Sequence, residues 1–560
     1  MCGIAGIMTV NGAAPQAAIM QAITKALVHR GPDGQGAYVK GDTALNQTRL
    51  AIIDLETGNQ PLSGPEDLAL VANGEIYNYI ELRASMPDVA FKTQSDCEPV
   101  LFLYQKHGLD FARHLRGMYA IALHDPAKGR LIFARDPFGI KPLYYAETAQ
   151  GLAFASEPHA IIASGLVTAK QNEQARNELL QLQFTTGRDT IFEGIHRVLP
   201  GETLVIEKGR IVDRRHIEAL QDGIPTDPAS LDRVWEDSVQ VHQRSDVPYG
   251  MFLSGGIDSS AVLAMMARLN PRPVEAFTAG FSGTKARDER ELARQVAKSF
   301  GATHIEIDFN EADFWRILPE IARAMDDPAA DYAILPTWKL AATAHAAGLK
   351  VILSGEGGDE LFGGYGRYRS AMRPWWLGGR RMRRNGSLDG LDLLRDDLSG
   401  WRAGVEASER AARKPGRSRL QVSQAIDCAD WLPNDLLTKL DRCLMAHGVE
   451  GRTPFLDREV ANFAFNLPDN LKVQNGLGKH LLSSWLAKHA PVAEAFSKKR
   501  GFTVPVGEWI ARRGKELGPL VANQESIRAI CHPAAVEKLF RHANHKRASF
   551  AAWTLLFYAL

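Results

Sequence analysis

The sequence predicts two units of different class: an α+β layered unit to about residue 160, and an α/β unit on a parallel sheet from about residue 231. Three observations predict them. The first stretch is a series of short apolar runs closed by turn residues. The second alternates strand-like and helix-like segments. Polar stretches at residues 171–188 and 221–228 separate the two.

In the first unit, residues 68–72 precede Asn73-Gly74 and residues 118–124 precede Asp125-Pro126. Residues 131–134 run into Asp136-Pro137, and 143–146 into a polar turn. Such dipeptides end strands because Gly accepts left-handed backbone and Pro lacks a ladder donor. Helical periodicity falls at about 16–28 and at 98–107. Two helices among many antiparallel strands make a layered α+β unit.

In the second unit, helices are expected at 231–244, 259–269, 289–300 and 335–347, with strands at 249–253, 274–279, 304–308 and 350–353. That alternation builds βαβ units, which put ligands at the carboxyl ends of the strands. Residues 372–419 are rich in Arg, Gly and Asp with poor periodicity. Their basic run at 380–384 could hold an anion, but a solvated, mobile insertion is the expectation. Helical segments resume near 425 and continue to the end.

At roughly 150 residues per domain, 560 residues allow two to four domains. Hydrophobic residues at 45% and charged residues at 23% are the balance of a globular protein. Sixty-six Lys+Arg against 65 Asp+Glu leave a net charge of +1, so no global field draws the chain to nucleic acid or an anionic membrane. The cysteines (Cys2, Cys97, Cys428, Cys443, Cys531) are few, odd in number and form no CxxC pair. That excludes a zinc knuckle or thioredoxin-like motif and suits a reducing cytosol. No run approaches the roughly 18 apolar residues that span a bilayer, and the first cation is Lys25, so a charged signal-peptide start is missing. A cytoplasmic protein with no nucleic-acid or membrane partner is expected.

The chemistry begins at Cys2. Removal of the initiator Met would expose a cysteine whose own α-amine can serve as base for its thiol. Behind it stand Cys2-Gly3-Ile4-Ala5-Gly6, His29-Arg30-Gly31-Pro32-Asp33-Gly34 and Arg49-Leu50-Ala51-Ile52-Ile53-Asp54. Asn73-Gly74-Glu75-Ile76-Tyr77-Asn78, Ser95-Asp96-Cys97-Glu98 and Arg135-Asp136-Pro137-Phe138-Gly139-Ile140-Lys141 follow in order. This set resembles the class II, N-terminal-nucleophile glutamine amidotransferase domain, whose fold is αββα-layered, over residues 2–190. The resemblance implies Cys2 as nucleophile and Asn73 with the Gly74 N–H as oxyanion hole. It implies a glutamine site of Arg49, Leu50, Ala51, Ile52, Ile53, Asn73, Gly74, Glu75 and Asp96. Arg49 would pair with the α-carboxylate, a planar group suited to a guanidinium fork, and Asp96 with the Glu75 region would receive the α-ammonium.

Phe252-Leu253-Ser254-Gly255-Gly256-Ile257-Asp258-Ser259-Ser260 lies where an apolar strand ends and a helix begins. Glycines there allow close backbone approach, and helix-start amides bind pyrophosphate. No GxxxxGK[ST] exists, and Gly355-Glu356-Gly357-Gly358-Asp359-Glu360 has Glu at the last glycine position of a dinucleotide fingerprint. The loop instead resembles the PP-loop of ATP pyrophosphatases. With Gly448-Val449-Glu450-Gly451-Arg452-Thr453-Pro454 downstream and Cys2 in front, the whole chain resembles the glutamine-dependent asparagine synthetases of the bacterial type.

That resemblance implies a connecting segment at 191–230 and an ATP-dependent synthetase unit at 231–560. It implies ATP contacts from Leu253, Ser254, Gly255, Gly256, Asp258, Ser259, Ala279, Ser354 and Gly355, and Mg²⁺ on Asp258 and Asp359. Glu356 would assist acyl-adenylate formation, and Lys479 would stabilise charge at the α-phosphate or intermediate. Arg452 would bind substrate or brace the site. The segment 498–509 would shape the acceptor pocket or pack structurally. Glutamine, aspartate and ATP are the implied substrates, and a homodimer the implied assembly. The adenylation motifs do not specify the acid, so a polysaccharide uronic acid or natural-product carboxylate is the alternative acceptor. A β-lactam-forming relative would need no Cys2, and a non-catalytic sensor would have lost Cys2, Asp258 or Lys479.

Overall fold

The computed structural model describes residues 2–284, 288–377, 379, 381–497 and 504–560. The first unit contains β1 (Cys2–Thr9), β2 (Gly34–Lys40), β3 (Thr43–Arg49), β4 (Leu62–Ser63), β5 (Ala69–Ile76) and β6 (Gly117–Asp125). It continues with β7 (Arg130–Arg135), β8 (Tyr144–Glu147), β9 (Gly151–Ala155), β10 (His196–Arg197), β11 (Glu202–Glu207) and β12 (Arg210–His216). Among the described residues these form two six-stranded antiparallel sheets, ordered β10-β8-β9-β1-β3-β2 and β12-β11-β7-β6-β5-β4.

The period of two along each strand explains the layering. Ile4 and Met8 of β1 meet Ala69 and Val71 of β5 between the sheets. The intervening Ala5 faces helices Ala17–Ala26 and Pro158–Ala163 on the outside. Leu70 and Ala72 of β5 face helix Glu98–His107 on the opposite outside. The result is an αββα sandwich. By the same alternation Cys2, Asn73 and Glu75 belong to the inner surfaces, at one end of the sandwich.

The second unit is a parallel sheet of β13 (Tyr249–Phe252), β14 (Glu275–Gly280), β15 (Thr303–Asp308), β16 (Val351–Leu353) and β17 (Glu450–Arg452), ordered β15-β14-β13-β16-β17. Met251, Ala276, Val351 and Leu353 point to one core, which helices Ile257–Leu269 and Arg290–Ser299 close. Phe277, Ile307 and Ile352 point to the other, closed by helices Glu311–Ala324 and Ile334–Ala346. Helices Val506–Arg512 and Lys546–Ala559 complete that core with Trp509 and Trp553. No helix among the described residues is long and apolar enough to cross a membrane.

Three expectations need correction. The polar stretch 171–188 is no spacer: Glu173–Leu182 is a helix, capped where Asn172 Oδ1 accepts from Gln174 and Ala175 N–H. Its Ala175, Leu179 and Leu180 enter the core of the second unit with Phe277. Three or four apolar positions at helical spacing suffice to bury a face in a segment polar by composition. The segment 191–230 is structured too, because β10 joins the first sheet and β11 and β12 extend the second. Residues 372–419 are packed rather than solvated: Leu388, Leu393 and Leu398 are buried in the second core, and Ala403–Ala412 is a helix. Of the basic run, Arg380 lies outside the described residues, and so does 498–503 of the segment 498–509. Arg383 pairs with the buried Asp427 at 2.8 Å.

Candidate active sites

The strand register brings the first set of residues together. β1 pairs with β3 so that Cys2 lies opposite Arg49. Across the sandwich, Asn73 Oδ1 accepts the Cys2 backbone N–H at 3.2 Å. Asn73 is fully buried, and its Nδ2 has no hydrogen-bond partner among the described residues. An orphaned buried amide is costly, so this donor is left open to a ligand. Gly74 cannot carry a side chain, since a Cβ there would collide with the Met118 carbonyl.

Burial pushes the Cys2 thiol up, opposed by a Leu50 backbone hydrogen bond and the Arg49 charge. The thiol therefore needs a local base. Glu75 is pushed well above the ordinary carboxyl range by burial, Glu450 and Asp96, and burial raises Asp96 as well. Asp96 Oδ2 accepts the Ile76 N–H at 2.7 Å. Two buried acids that resist ionisation together suit a ligand bringing one positive charge.

Arg49 is 7% exposed and spends its guanidinium on its own loop. Nη1 donates to Asn59 Oδ1 at 2.8 Å, and Nη2 to the Ile53 carbonyl at 3.3 Å and to the Asp54 carbonyl. The loop 50–59 that carries Leu50, Ala51, Ile52 and Ile53 is thus wrapped around Arg49. Asp54 stabilises it in left-handed backbone at φ 55, accepting from Thr57 N–H at 2.8 Å and Gln94 N–H at 2.8 Å.

The second set gathers at the carboxyl ends of β13, β14 and β16. Gly255 sits at φ +71, a conformation few L side chains adopt. It turns the chain into helix Ile257–Leu269. Ser259 Oγ accepts the Ser254 N–H at 3.1 Å and lies 3.1 Å from Ser254 Oγ, closing the loop. Leu253 N–H donates to the Phe277 carbonyl at 2.9 Å, and Thr278 Oγ1 donates to the Leu253 carbonyl at 2.5 Å, so Ala279 follows directly beside the loop.

After β16, Ser354 donates its hydroxyl to Glu356 Oε2. Gly355 and Gly358 lack the Cβ that would press on Asp258. Lys479, in left-handed backbone at φ 61, then reaches Asp258 Oδ2 and, at 2.6 Å, Asp359 Oδ1. Burial disfavours its charge, but Asp258 and Asp359 outweigh this and hold the ammonium above the ordinary lysine range. Two carboxylates converging on one cation are the donor set a hard divalent ion prefers.

Arg452 braces the junction of the two units. It is fully buried, donating to Glu450 Oε1 at 2.6 Å, the His242 carbonyl at 2.9 Å and the Arg244 carbonyl at 2.7 Å, with Nη2 3.5 Å from Glu75 Oε1. Its carbonyl accepts the Ser354 N–H at 2.9 Å, so one residue touches both sites. Glu157, His159 and Asp326 come within metal-ligand spacing, but Arg442 pairs with Glu157 at 3.2 Å and with Asp326 at 2.9 Å, and Arg30 with Glu157 at 2.6 Å. That cluster is an ion-pair network between the units.

The sequence left Gly364 unmarked, although a Cβ there would collide with both Asp359 and Lys479. Lys439, whose ammonium feels Glu356 and donates to Asp331 Oδ2 at 3.0 Å, was also missed. The Gly363-Gly364 pair just past Glu360 is the signal that could have found the first, whereas no local motif surrounds Lys439.

A family model described as asparagine synthase matches residues 230–560, and one described as glutamine amidotransferase domain matches residues 1–217. The chain is 31% identical over 612 residues to asparagine synthetase [glutamine-hydrolyzing] 1 of Bacillus subtilis (strain 168), covering 100% of this chain and 96% of that protein. It is 29% identical over 552 residues to asparagine synthetase B [glutamine-hydrolyzing] of Escherichia coli (strain K12), covering 94% and 86%. To amidase chry2 of Gibberella zeae it is 31% identical over 407 residues, covering 66% and 60%.

Proposed function

Because the chain belongs to the asparagine synthase family and carries a glutamine amidotransferase domain, we propose that it is an ATP-dependent ligase that makes asparagine from aspartate with glutamine nitrogen. The Cys2 thiolate attacks the glutamine side-chain carbonyl, and the α-amine freed by Met removal takes the thiol proton. The Asn73 amide and the Gly74 N–H receive the developing oxyanion, a role the unpartnered Asn73 Nδ2 supports. Ammonia leaves, and water hydrolyses the γ-glutamyl thioester to glutamate. Arg49 holds the substrate α-carboxylate and Asp96 with Glu75 its α-ammonium, with loop 50–53 closing over it.

At the second site the aspartate β-carboxylate attacks the ATP α-phosphorus and pyrophosphate leaves. Ammonia then attacks the acyl carbon of β-aspartyl-AMP and AMP departs. Adenylation is needed because a free carboxylate is a poor electrophile. Leu253 and Ala279 meet the adenine end, Ser254, Gly255, Gly256 and Ser259 cradle the pyrophosphate, and Ser354 and Gly355 border it. Glu356 assists adenylation, and Lys479 offsets charge at the α-phosphate. Asp258 and Asp359 would hold Mg²⁺, whose charge would offset that of the pyrophosphate. The five free cysteines, all buried, support a cytoplasmic enzyme, and a homodimer is the assembly that the sequence resemblance implies.

The observation that carries this reading is Lys479 bridging Asp258 and Asp359 beside the PP-loop, in a chain that also sets Cys2 against Asn73. Incubation with ATP, Mg²⁺, aspartate and amide-¹⁵N glutamine should yield labelled asparagine and AMP in equal amounts. Glutamate without labelled asparagine would refute aspartate as acceptor and turn the assay to other carboxylates, such as uronic acids.

A further inference from the structure

The glutamine-site loop is held from outside its own unit. Asp246, just before β13, donates its N–H to the Ile52 carbonyl at 3.0 Å, and its Oδ2 accepts the Asp54 N–H at 2.7 Å. Lys350, just before β16, donates through Nζ to Asp33 Oδ2 at 2.7 Å and to the Ala51 carbonyl at 3.5 Å. Asp33 Oδ2 also accepts the Ala51 N–H at 2.8 Å, so the lysine, the aspartate and the loop backbone form one hydrogen-bonded clamp. Partial burial would raise the Asp33 carboxyl, but Lys350 and the Ala51 N–H outweigh this and hold it ionised below the ordinary range.

These contacts fall on the same short stretch that Arg49 grips from within. Arg49 Nη2 donates to the Ile53 and Asp54 carbonyls, while Asp246 takes the Ile52 carbonyl and the Asp54 N–H. The loop thus lies between an arginine of the first unit and an aspartate of the second. The two strands that follow these anchors end at the PP-loop and at Ser354-Gly355-Glu356.

We propose that Asp246 and Lys350 are positioning residues for glutamine, holding loop 50–54 so that Arg49 faces the substrate and the glutamine site is complete only against the second unit. They act through Asp33, Ala51, Ile52 and Asp54 and touch no reacting atom. This deepens the proposed function, since it takes the Arg49 loop as the glutamine site.

The test is glutamine affinity by calorimetry in a Cys2→Ala background, which removes turnover. Asp246→Ala and Lys350→Met should each weaken glutamine binding about five- to tenfold, the scale of one ordinary lost hydrogen bond. Lys350→Arg should restore it. With Cys2 intact, the same substitutions should raise the glutamine KM while ammonia-dependent turnover and the ATP KM stay at wild-type values. Unchanged glutamine affinity in both variants overturns the proposal, as does a parallel fall in ammonia-dependent turnover, which would mark a general folding defect. Failure of aspartate as acceptor would refute the proposed reaction, yet leave the calorimetric outcome decisive for the clamp.

Discussion

Lys479 Nζ lies 2.6 Å from Asp359 Oδ1 and simultaneously contacts Asp258, so an ammonium stands between the two carboxylates assigned to Mg²⁺. With Mg²⁺ on those carboxylates, the ammonium would be available to phosphate oxygens instead. Replacing it by an uncharged side chain removes a preorganised charge from the phosphoryl site. Lys479→Met should therefore lower ATP–pyrophosphate exchange about a hundredfold or more, with glutamate release from glutamine retained. Equal loss of both activities would contradict the assignment.

Asp258→Asn removes one of the converging carboxylates and leaves the first site untouched. Pyrophosphate release should fall steeply at low Mg²⁺ and recover in part as Mg²⁺ is raised. A Mg²⁺ dependence identical to wild type would show that Asp258 does not ligate the ion.

Gly364 gives the lysine and Asp359 room to meet. A Cβ would strike Asp359 Oδ1 and Lys479 Cε, so Gly364→Ala should impair adenylation with little change in glutaminase rate or thermal midpoint. Normal adenylation by this variant would mean that the pair can shift without consequence.

Cys2→Ala should abolish glutamine-dependent synthesis and spare synthesis from ammonia, because the thiol and the adenylating site lie on separate sheets. Asn73→Ala, by removing an oxyanion donor, should lower glutaminase kcat about a hundred- to a thousandfold with a smaller change in glutamine KM. Comparing the two nitrogen sources in one assay series decides both.

The junction of the two units predicts a pH dependence. His159 Nδ1 lies 3.0 Å from Asp326 Oδ2 and 3.3 Å from Glu157 Oε2. Burial disfavours the charged ring, but Asp326 and Glu157 outweigh it and raise its pKa from 6.5 to about 9. A group whose folded pKa is raised contributes stability fully below its unfolded value and loses it as pH rises through the folded one. The thermal midpoint should fall between pH 6.5 and about 9, and His159→Gln should flatten that fall. An identical slope in the variant would remove His159 as the cause.

Much of the architecture could be read along the chain. The helix expected at 98–107 is the observed Glu98–His107, and the expected strand at 304–308 is Thr303–Asp308 within one residue. Strand–helix alternation is a local signal and survives without knowledge of the fold, whereas Asn73-Gly74, expected to close a strand, lies inside β5 because its ladder to β6 continues to Ile76. The Glu173–Leu182 helix and the packed 372–419 region were not legible, because each buries only scattered apolar residues whose partners lie on the distant second core.

By itself the sequence determined the two chemistries, since the residues that carry them are clustered in short motifs: Cys2, Asn73-Gly74-Glu75, Ser254–Ser260 and Gly355–Asp359. Tertiary structure alone decided how the two units meet. Asp246 lies 192 positions from Asp54 and Lys350 lies 317 from Asp33, and each pair is joined by one hydrogen bond or ion pair. A single polar contact across such separations leaves no periodicity or spacing in the chain. It exists only once the sheets have folded and the two units have packed against each other.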